Sequence, residues 1–185
     1  MLELARADTV QHGLSGRIDY HLGYLPDTQL PQRRYDAVTS NSLLHHLKQP
    51  AALWQSVQTF ARPGAPVLIM DLMRPASRTA ASQLVEEYAG GEPQLLQRDF
   101  FNSLLAAYRP AEVRLQLEQS GLAELQIETV SDRHFIVFGA LLPSSISACF
   151  GVGSLHLAGF LPTDELAYTA FTWFAGDGWC IRNIT

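Results

Sequence analysis

The first forty residues alternate between helical and strand-like hydrophobic patterns. Residues 1–12 have helical spacing and end at a turn that contains Gly13. Residues 17–22 form a short strand pattern that stops at Gly23, and a second strand pattern covers residues 35–40. The chain therefore opens with one predicted helix followed by two predicted strands.

A helix and a buried strand come next. Pro50, a residue type favoured at the first position of a helix, precedes a helical pattern over residues 51–61. The Pro63-Gly64 turn leads into Val67-Leu68-Ile69-Met70, a continuous apolar run that ends at Asp71. Such runs are typical of strands that are covered on both faces in a parallel sheet.

Helical patterns dominate the middle of the chain. Two apolar sets with helical spacing, followed by a third predicted helix over residues 111–120, indicate a helical insertion over about residues 77–120. Strand patterns at residues 124–130 and 134–139 predict an antiparallel strand pair near residue 135. The two apolar sets are Ala80, Leu84, Val85 and Tyr88, and Phe100, Leu104, Leu105 and Tyr108.

Alternating strands and helices predict an α/β fold with a mostly parallel sheet flanked by helices. We expect this domain to occupy residues 1–140. Residues 141–185 form an apolar tail with four formal charges and no clear period, so the sequence predicts no structure there. Ligands of open α/β sheets bind at the carboxyl ends of strands, which directs attention to Gly23, residues 40–42 and Asp71.

Composition narrows the class of protein. With 185 residues, 47% of them hydrophobic, the chain is long enough to bury a core without disulfides. Its two cysteines, Cys149 and Cys180, have no metal-ligand spacing, which favours a reducing, cytoplasmic location. A net charge of −5 with scattered basic residues disfavours nucleic-acid binding, and no uninterrupted apolar stretch predicts a membrane span.

Two stretches resemble the class I S-adenosylmethionine-dependent methyltransferases. The first is Tyr35-Asp36-Ala37-Val38-Thr39-Ser40-Asn41-Ser42-Leu43-Leu44-His45-His46-Leu47, and the second is Arg62-Pro63-Gly64-Ala65-Pro66-Val67-Leu68-Ile69-Met70-Asp71-Leu72. They look like the family's fourth strand with its loop and the Pro-Gly turn before its fifth strand. The resemblance implies a Rossmann-like fold, S-adenosylmethionine as cofactor and a small-molecule methyl acceptor.

The chain also departs from this family at its beginning. Family members start with a strand and a Gly-x-Gly-x-Gly loop, whereas residues 1–5 look like a helix about one βαβ unit later. Gly151-Val152-Gly153 lacks the strand-loop-helix context of such a loop. Two further hypotheses therefore stay open: a truncated or degenerate relative that binds no cofactor, and a non-catalytic module that assembles into oligomers through an aromatic tail containing Phe171, Trp173, Phe174 and Trp179.

The resemblance also implies a set of cofactor-binding residues. Gly23 and Tyr24 stand where the family has Gly-Asp, which contacts the adenine, and residues 40–42 would line the methionine side. A packed turn tyrosine and simple capping by short polar side chains are the alternative interpretations. The expected cofactor contacts are Gly23, Tyr24, Leu25, Ser40, Asn41, Ser42 and His45.

Candidates for acceptor binding lie around the helical insertion. The family's insertion after the fifth strand commonly covers the acceptor pocket, although ordinary ion pairs on a solvated helix face are an alternative. His45 and His46 are adjacent and point in different directions, so we predict no metal site. No residue is singled out as a catalytic base. The predicted acceptor-binding residues are Asp71, Arg74, Tyr108 and Arg133.

Overall fold

A computed structural model describes residues 2–26 and 34–142, and the backbone of two further strands at residues 170–174 and 180–184. The helices are α1 Leu2–Gln11, α2 Ala51–Phe60, α3 Arg78–Ala89, α4 Gln94–Ala106 and α5 Pro110–Gln119, with a 3₁₀ turn at Leu44–His46. The strands are β1 Ile18–His21, β2 Ala37–Asn41, β3 Pro66–Leu72, β4 Gln126–Thr129, β5 His134–Ala140, β6 Ala170–Phe174 and β7 Cys180–Ile184. None of the helices in these ranges is long and apolar enough to cross a membrane.

The strands form one sheet in the order β1-β7-β6-β2-β3-β5-β4. Strand β2 pairs in parallel with β3 and with β6, whereas the other described pairings are antiparallel. The predicted α/β class is confirmed, and so is the antiparallel pair β4–β5 near residue 135. The sheet is mixed rather than mostly parallel, because the short β4–β5 and β6–β7 connections allow only antiparallel pairing.

Two strands of the C-terminal segment lie between β1 and β2. Strand β6 runs beside β2 in the register Val38↔Phe171 and Ser40↔Trp173, and β7 pairs with both β6 and β1. Both edges of β2 are thereby hydrogen-bonded, as a central strand requires. The tail side chains on which the assembly hypothesis depends lie outside the described residues.

The main core lies between one face of the sheet and helices α2 and α5. Trp54 is completely buried, and its indole N–H donates to Gln116 Oε1 at 3.1 Å, which joins the two helices. Gln58 Nε2 also donates to the carbonyl oxygen of Ser120 at 2.7 Å. The strands contribute Val38, Val67, Ile69, Phe135 and Val137 to this core, and the helices contribute Leu53, Trp54, Val57, Val113 and Leu117.

A second, smaller core joins α3 and α4 to the end of β3. It consists of Leu72, Ala81, Val85, Leu104 and Ala107. Helix α3 begins at Ser77, whose side chain accepts a hydrogen bond from the Ala80 N–H at 3.1 Å. Helix α4 lies against the 3₁₀ turn at Leu44–His46, so the α3–α4 pair covers the region where β2 ends.

Candidate functional site

Four strands run in the same direction and end at the same edge of the sheet. These are β1, β6, β2 and β3, as the parallel and antiparallel pairings require. The edge contains Gly23 after β1, Ser42 after β2 and Asp71 near the end of β3. Three strand spacings separate β1 from β2, which corresponds to about 14 Å. The residue sets predicted from the three strand ends therefore share one edge.

The end of β2 contains a strained residue. Ser42 has a φ of 53°, a left-handed conformation that costs a non-glycine residue about 1 kcal/mol. Its N–H donates to the Met70 carbonyl oxygen at 2.9 Å, and its hydroxyl donates to Asn41 Oδ1 at 3.3 Å. Strain of this kind concentrates at functional sites. Because Asn41 Oδ1 accepts the Ser42 proton, the Asn41 amide N–H groups point away from Ser42.

Ser40 and Asn41 lie on opposite faces of β2. The Ser40 side chain is 3% exposed and shares the core face with Val38. Its hydroxyl oxygen is buried without a hydrogen-bond partner among the described residues. Asn41 is half-buried on the other face. The structure thus separates two side chains that the sequence placed in one group.

Asp71 connects the end of β3 to the loop after β2. Its carboxylate is 1% exposed and accepts three hydrogen bonds. The donors are the Leu44 N–H at 2.6 Å, the Leu72 N–H at 2.7 Å and His45 Nδ1 at 2.6 Å. The structure therefore places Asp71 behind the 3₁₀ turn, where it holds His45 in place.

The His45 ring is almost fully buried, with 4% of its side chain exposed. Both oxygens of Asp71 act as acceptors, so His45 Nδ1 carries the proton in this hydrogen bond. Nε2 then holds a lone pair, and it makes no hydrogen bond within the described part of the chain. The His46 ring packs against the His45 ring, with 4.0 Å between the two ring centroids. Side chains of described residues form no group of three that could hold a metal ion.

Tyr108 lies between α4 and α5 and contacts the segment that follows the 3₁₀ turn. Its hydroxyl donates to the Leu47 carbonyl oxygen at 3.1 Å, one residue beyond the 3₁₀ turn. Burial raises the pKa of Tyr108, and the nearby Glu112 carboxylate raises it further. The side chain is therefore a neutral phenol at physiological pH.

Arg74 forms an ion pair with Glu112. One guanidinium nitrogen of Arg74 donates to both carboxylate oxygens of Glu112. The Arg109 N–H donates to the same carboxylate at 2.8 Å. This N–H and then Arg74 lower the pKa of Glu112, so its carboxylate stays ionised and balances the charge of Arg74.

Arg133 is balanced in a similar way by Asp132. Its guanidinium donates to Asp132 Oδ1 at 2.8 Å and lies 3.3 Å from the centroid of the Tyr88 ring. The Tyr88 hydroxyl donates to Asp132 Oδ2 at 2.9 Å, and this hydrogen bond raises the pKa of Tyr88. Both arginines predicted to bind the acceptor thus have carboxylate partners within the chain.

The predicted adenine side of the site follows β1. Tyr24 is 78% exposed, whereas Leu25 is partly buried and packs against the main core. His134 lies at the start of β5, directly after Arg133. Burial and the Arg133 charge lower the pKa of His134, and its Nδ1 lies 3.0 Å from the Ser131 hydroxyl.

Sequence comparison identifies the family. Residues 7–127, which are more than half of the chain, match the model of a methyltransferase domain. The chain therefore belongs to this methyltransferase family, as the two motif-bearing stretches predicted. No curated protein matches the chain.

Several solved structures are similar to the chain. A protein from Nostoc punctiforme, assigned as an O-methyltransferase, has 17% identity and a TM-score of 0.52 over 75% of this chain and 41% of its own. A SAM-dependent methyltransferase from Aquifex aeolicus has 20% identity and a TM-score of 0.49 over 75% of this chain and 62% of its own.

Human N-acetylserotonin methyltransferase, solved in complex with SAM, has 16% identity and a TM-score of 0.43 over 65% of this chain and 33% of its own. The chain spans less than two thirds of the length of each of these three proteins. The likeness to the Nostoc protein supports the Rossmann-like fold.

Proposed function

We propose that this chain supports S-adenosylmethionine-dependent methyl transfer to a small-molecule acceptor. The observation that carries the proposal is the Asn41–Ser42 corner, a strained residue at the carboxyl end of a central parallel strand. It lies within the range that matches the methyltransferase domain, residues 7–127. Open α/β sheets bind their ligands at such strand ends.

The residues at this edge fit the two ends of the cofactor. Asn41 lies half-buried on the face of β2 opposite the main core and supplies amide N–H donors for a carboxylate. Tyr24 presents an exposed ring for stacking on a purine about 14 Å away along the edge. Gly23, Leu25 and Ser42 would shape the backbone around the ligand.

When bound, S-adenosylmethionine supplies an electrophilic methyl group on a sulfonium sulfur. The protein has to align an acceptor atom with that methyl carbon and exclude water, which is mainly a matter of positioning. Helix α4 lies against the 3₁₀ turn that follows β2, and α3 packs on α4. We assign the acceptor side of the site to this helical pair and to Tyr108.

We also propose that neither of the two predicted arginines binds the acceptor. Arg74 is paired with Glu112, and Arg133 is paired with Asp132. An acceptor that bound either guanidinium would have to compete with this carboxylate partner. These two arginines therefore act as supports of the helical insertion and of the β4–β5 turn.

The proposal is tested by titrating S-adenosylmethionine and S-adenosylhomocysteine into the folded chain by calorimetry. Micromolar affinity, about −8 kcal/mol, is the expected result. The variant Asn41→Ala should weaken the affinity roughly tenfold because it removes a hydrogen-bond donor at the site. Asn102→Ala, at an exposed position of α4, is the matched control and should bind as the unmodified chain does.

Two results would count against the proposal. A chain that is folded by circular dichroism but binds neither compound would support the hypothesis of a degenerate relative without a cofactor. Equal binding by Asn41→Ala and Asn102→Ala would place the cofactor elsewhere on the molecule.

A further inference from the structure

The His45–Asp71 pair has features of a proton-accepting dyad. The two side chains are 4% and 1% exposed, and Nδ1 and Oδ1 are 2.6 Å apart. Two backbone N–H groups, those of Leu44 and Leu72, also donate to the carboxylate and fix its orientation. The dyad lies at the carboxyl end of β2 and β3, next to the Asn41–Ser42 corner.

The hydrogen bond to Asp71 determines which nitrogen of His45 is basic. A carboxylate that already accepts two N–H groups requires the proton of the imidazole on Nδ1. Nε2 is then unprotonated, and its lone pair is the position at which the ring can accept a proton. A buried carboxylate in this position orients a base and need not contact the substrate itself.

We propose that His45 Nε2 removes the proton from a hydroxyl group of the methyl acceptor and that Asp71 is its positioning residue. This inference rests on the proposed function. The O–H bond of the acceptor breaks and its proton forms a bond with Nε2, while an oxygen electron pair forms the new bond to the methyl carbon. The bond between that carbon and sulfur breaks, and its electron pair stays on sulfur. The products are a methyl ether, a neutral thioether and an imidazolium–carboxylate pair.

Other side chains near this edge are less suited to the task. The Tyr108 hydroxyl donates to Leu47, and its raised pKa keeps it protonated. His134 Nδ1 lies 3.0 Å from the Ser131 hydroxyl. Among the described histidines, His45 has the shortest contact with a carboxylate.

The tautomer of His45 is measured by two-bond ¹⁵N–¹H correlation spectra of the chain with ¹⁵N-labelled histidine at pH 7. Spectra of His45→Gln and His46→Gln assign the signals. We expect His45 to carry its proton on Nδ1 alone, and Asp71→Asn to move that proton to Nε2. A His45 that is protonated on Nε2, or on both nitrogens, would overturn the inference. The spectrum of the unmodified chain decides this point even where Asp71→Asn fails to fold.

Accessibility of Nε2 is measured with diethyl pyrocarbonate, which acylates neutral imidazole nitrogens. In the His46→Gln background we expect His45 to be modified, and S-adenosylhomocysteine to slow that modification severalfold. A His45 that stays unmodified while the exposed His12 reacts would show that no acceptor can reach Nε2.

Methyl transfer to phenol and to thiophenol separates proton removal from positioning. A base contributes about 100-fold or more to transfer to a weakly acidic hydroxyl, whereas a thiol is ionised more readily. His45→Gln should therefore lose much more activity on phenol than on thiophenol, and an equal loss would overturn the inference. The spectra need no cofactor, so a chain with the expected tautomer but no affinity for S-adenosylmethionine contradicts the proposed function rather than the geometry of the dyad.

Discussion

Asp71→Asn is the substitution whose effect on stability follows most directly from the structure. The carboxylate is completely enclosed and accepts hydrogen bonds from Leu44, Leu72 and His45. Asparagine has the same shape but offers one acceptor oxygen, and its NH₂ group must face at least one of the N–H donors. His45 can adjust by changing its tautomer, whereas the two backbone N–H groups cannot.

The expected loss follows from these contacts. A hydrogen bond to a charged group contributes about 1.5–3 kcal/mol, and a buried donor left unpaired costs about 1–3 kcal/mol. One backbone N–H loses its acceptor in either orientation of the amide, so Asp71→Asn should lower the free energy of unfolding by about 2–4 kcal/mol. With a urea m-value of about 2 kcal/mol/M, the unfolding midpoint should fall by about 1–2 M.

Asp36→Asn is the matched control for this measurement. Asp36 pairs with Arg62 at the surface, where an ion pair contributes at most about 1 kcal/mol. Urea unfolding followed by tryptophan fluorescence compares the two variants, because Trp54 lies in the main core. Equal midpoints for Asp71→Asn and Asp36→Asn would refute the role of Asp71 as the link between β3 and the 3₁₀ turn.

Three further predictions concern the same edge of the sheet. Ser42→Gly should leave the free energy of unfolding unchanged or raise it. Ser42→Val should lower it by about 1 kcal/mol or more, because a β-branched residue is disfavoured at a φ of 53°. Equal urea midpoints for the two variants would contradict backbone strain at this position. The pKa of Glu112 is held below its usual value by the Arg109 N–H and then by Arg74, so this stabilisation is present above about pH 4.3 and is lost as the pH falls through the folded-state pKa. The difference in stability between the chain and Glu112→Gln should therefore shrink between pH 6 and pH 3, and a constant difference would argue against the ion pair. Burial lowers the pKa of His134 in the folded chain, so the contribution of the neutral ring to the free energy of unfolding is present above about pH 6.5 and is lost as the pH falls. In urea titrations, the free energy of unfolding should therefore fall less between pH 7 and pH 5 for His134→Gln than for the unmodified chain.

Local pattern predicted most of the elements in the first 140 residues. The apolar run ending at Asp71, the helix after Pro50 and the strand pair near residue 135 are all present, with boundaries shifted by a few residues. They were predictable because hydrophobic periodicity reports which side chains face a core. The polar residues at the strand ends were also expected to lie together, and they share one edge of the sheet because these strands run in the same direction.

The periodicity of a segment does not report which other segment lies beside it. Sequence alone therefore grouped Ser40 with Asn41, although the pleat of β2 directs them to opposite faces. It also left open whether Arg74 binds the acceptor or forms an ordinary ion pair, and only the packing of α5 shows that Glu112, 38 positions away, is its partner. The apolar tail, which has no clear period, supplies two strands that complete the pairing of β2.

The His45–Asp71 dyad shows most clearly what local pattern can predict and what only packing decides. Each residue was a candidate by itself, because it follows or ends a predicted strand. Their partnership spans 26 positions of the chain and depends on the register that pairs Asn41 with Met70. Residue types and local spacing thus determined the α/β class, and the two motif-bearing stretches gave the resemblance to the family that the comparison confirmed. Strand order, register and burial decided which side chains meet there, because those contacts form only when segments distant along the chain pack together.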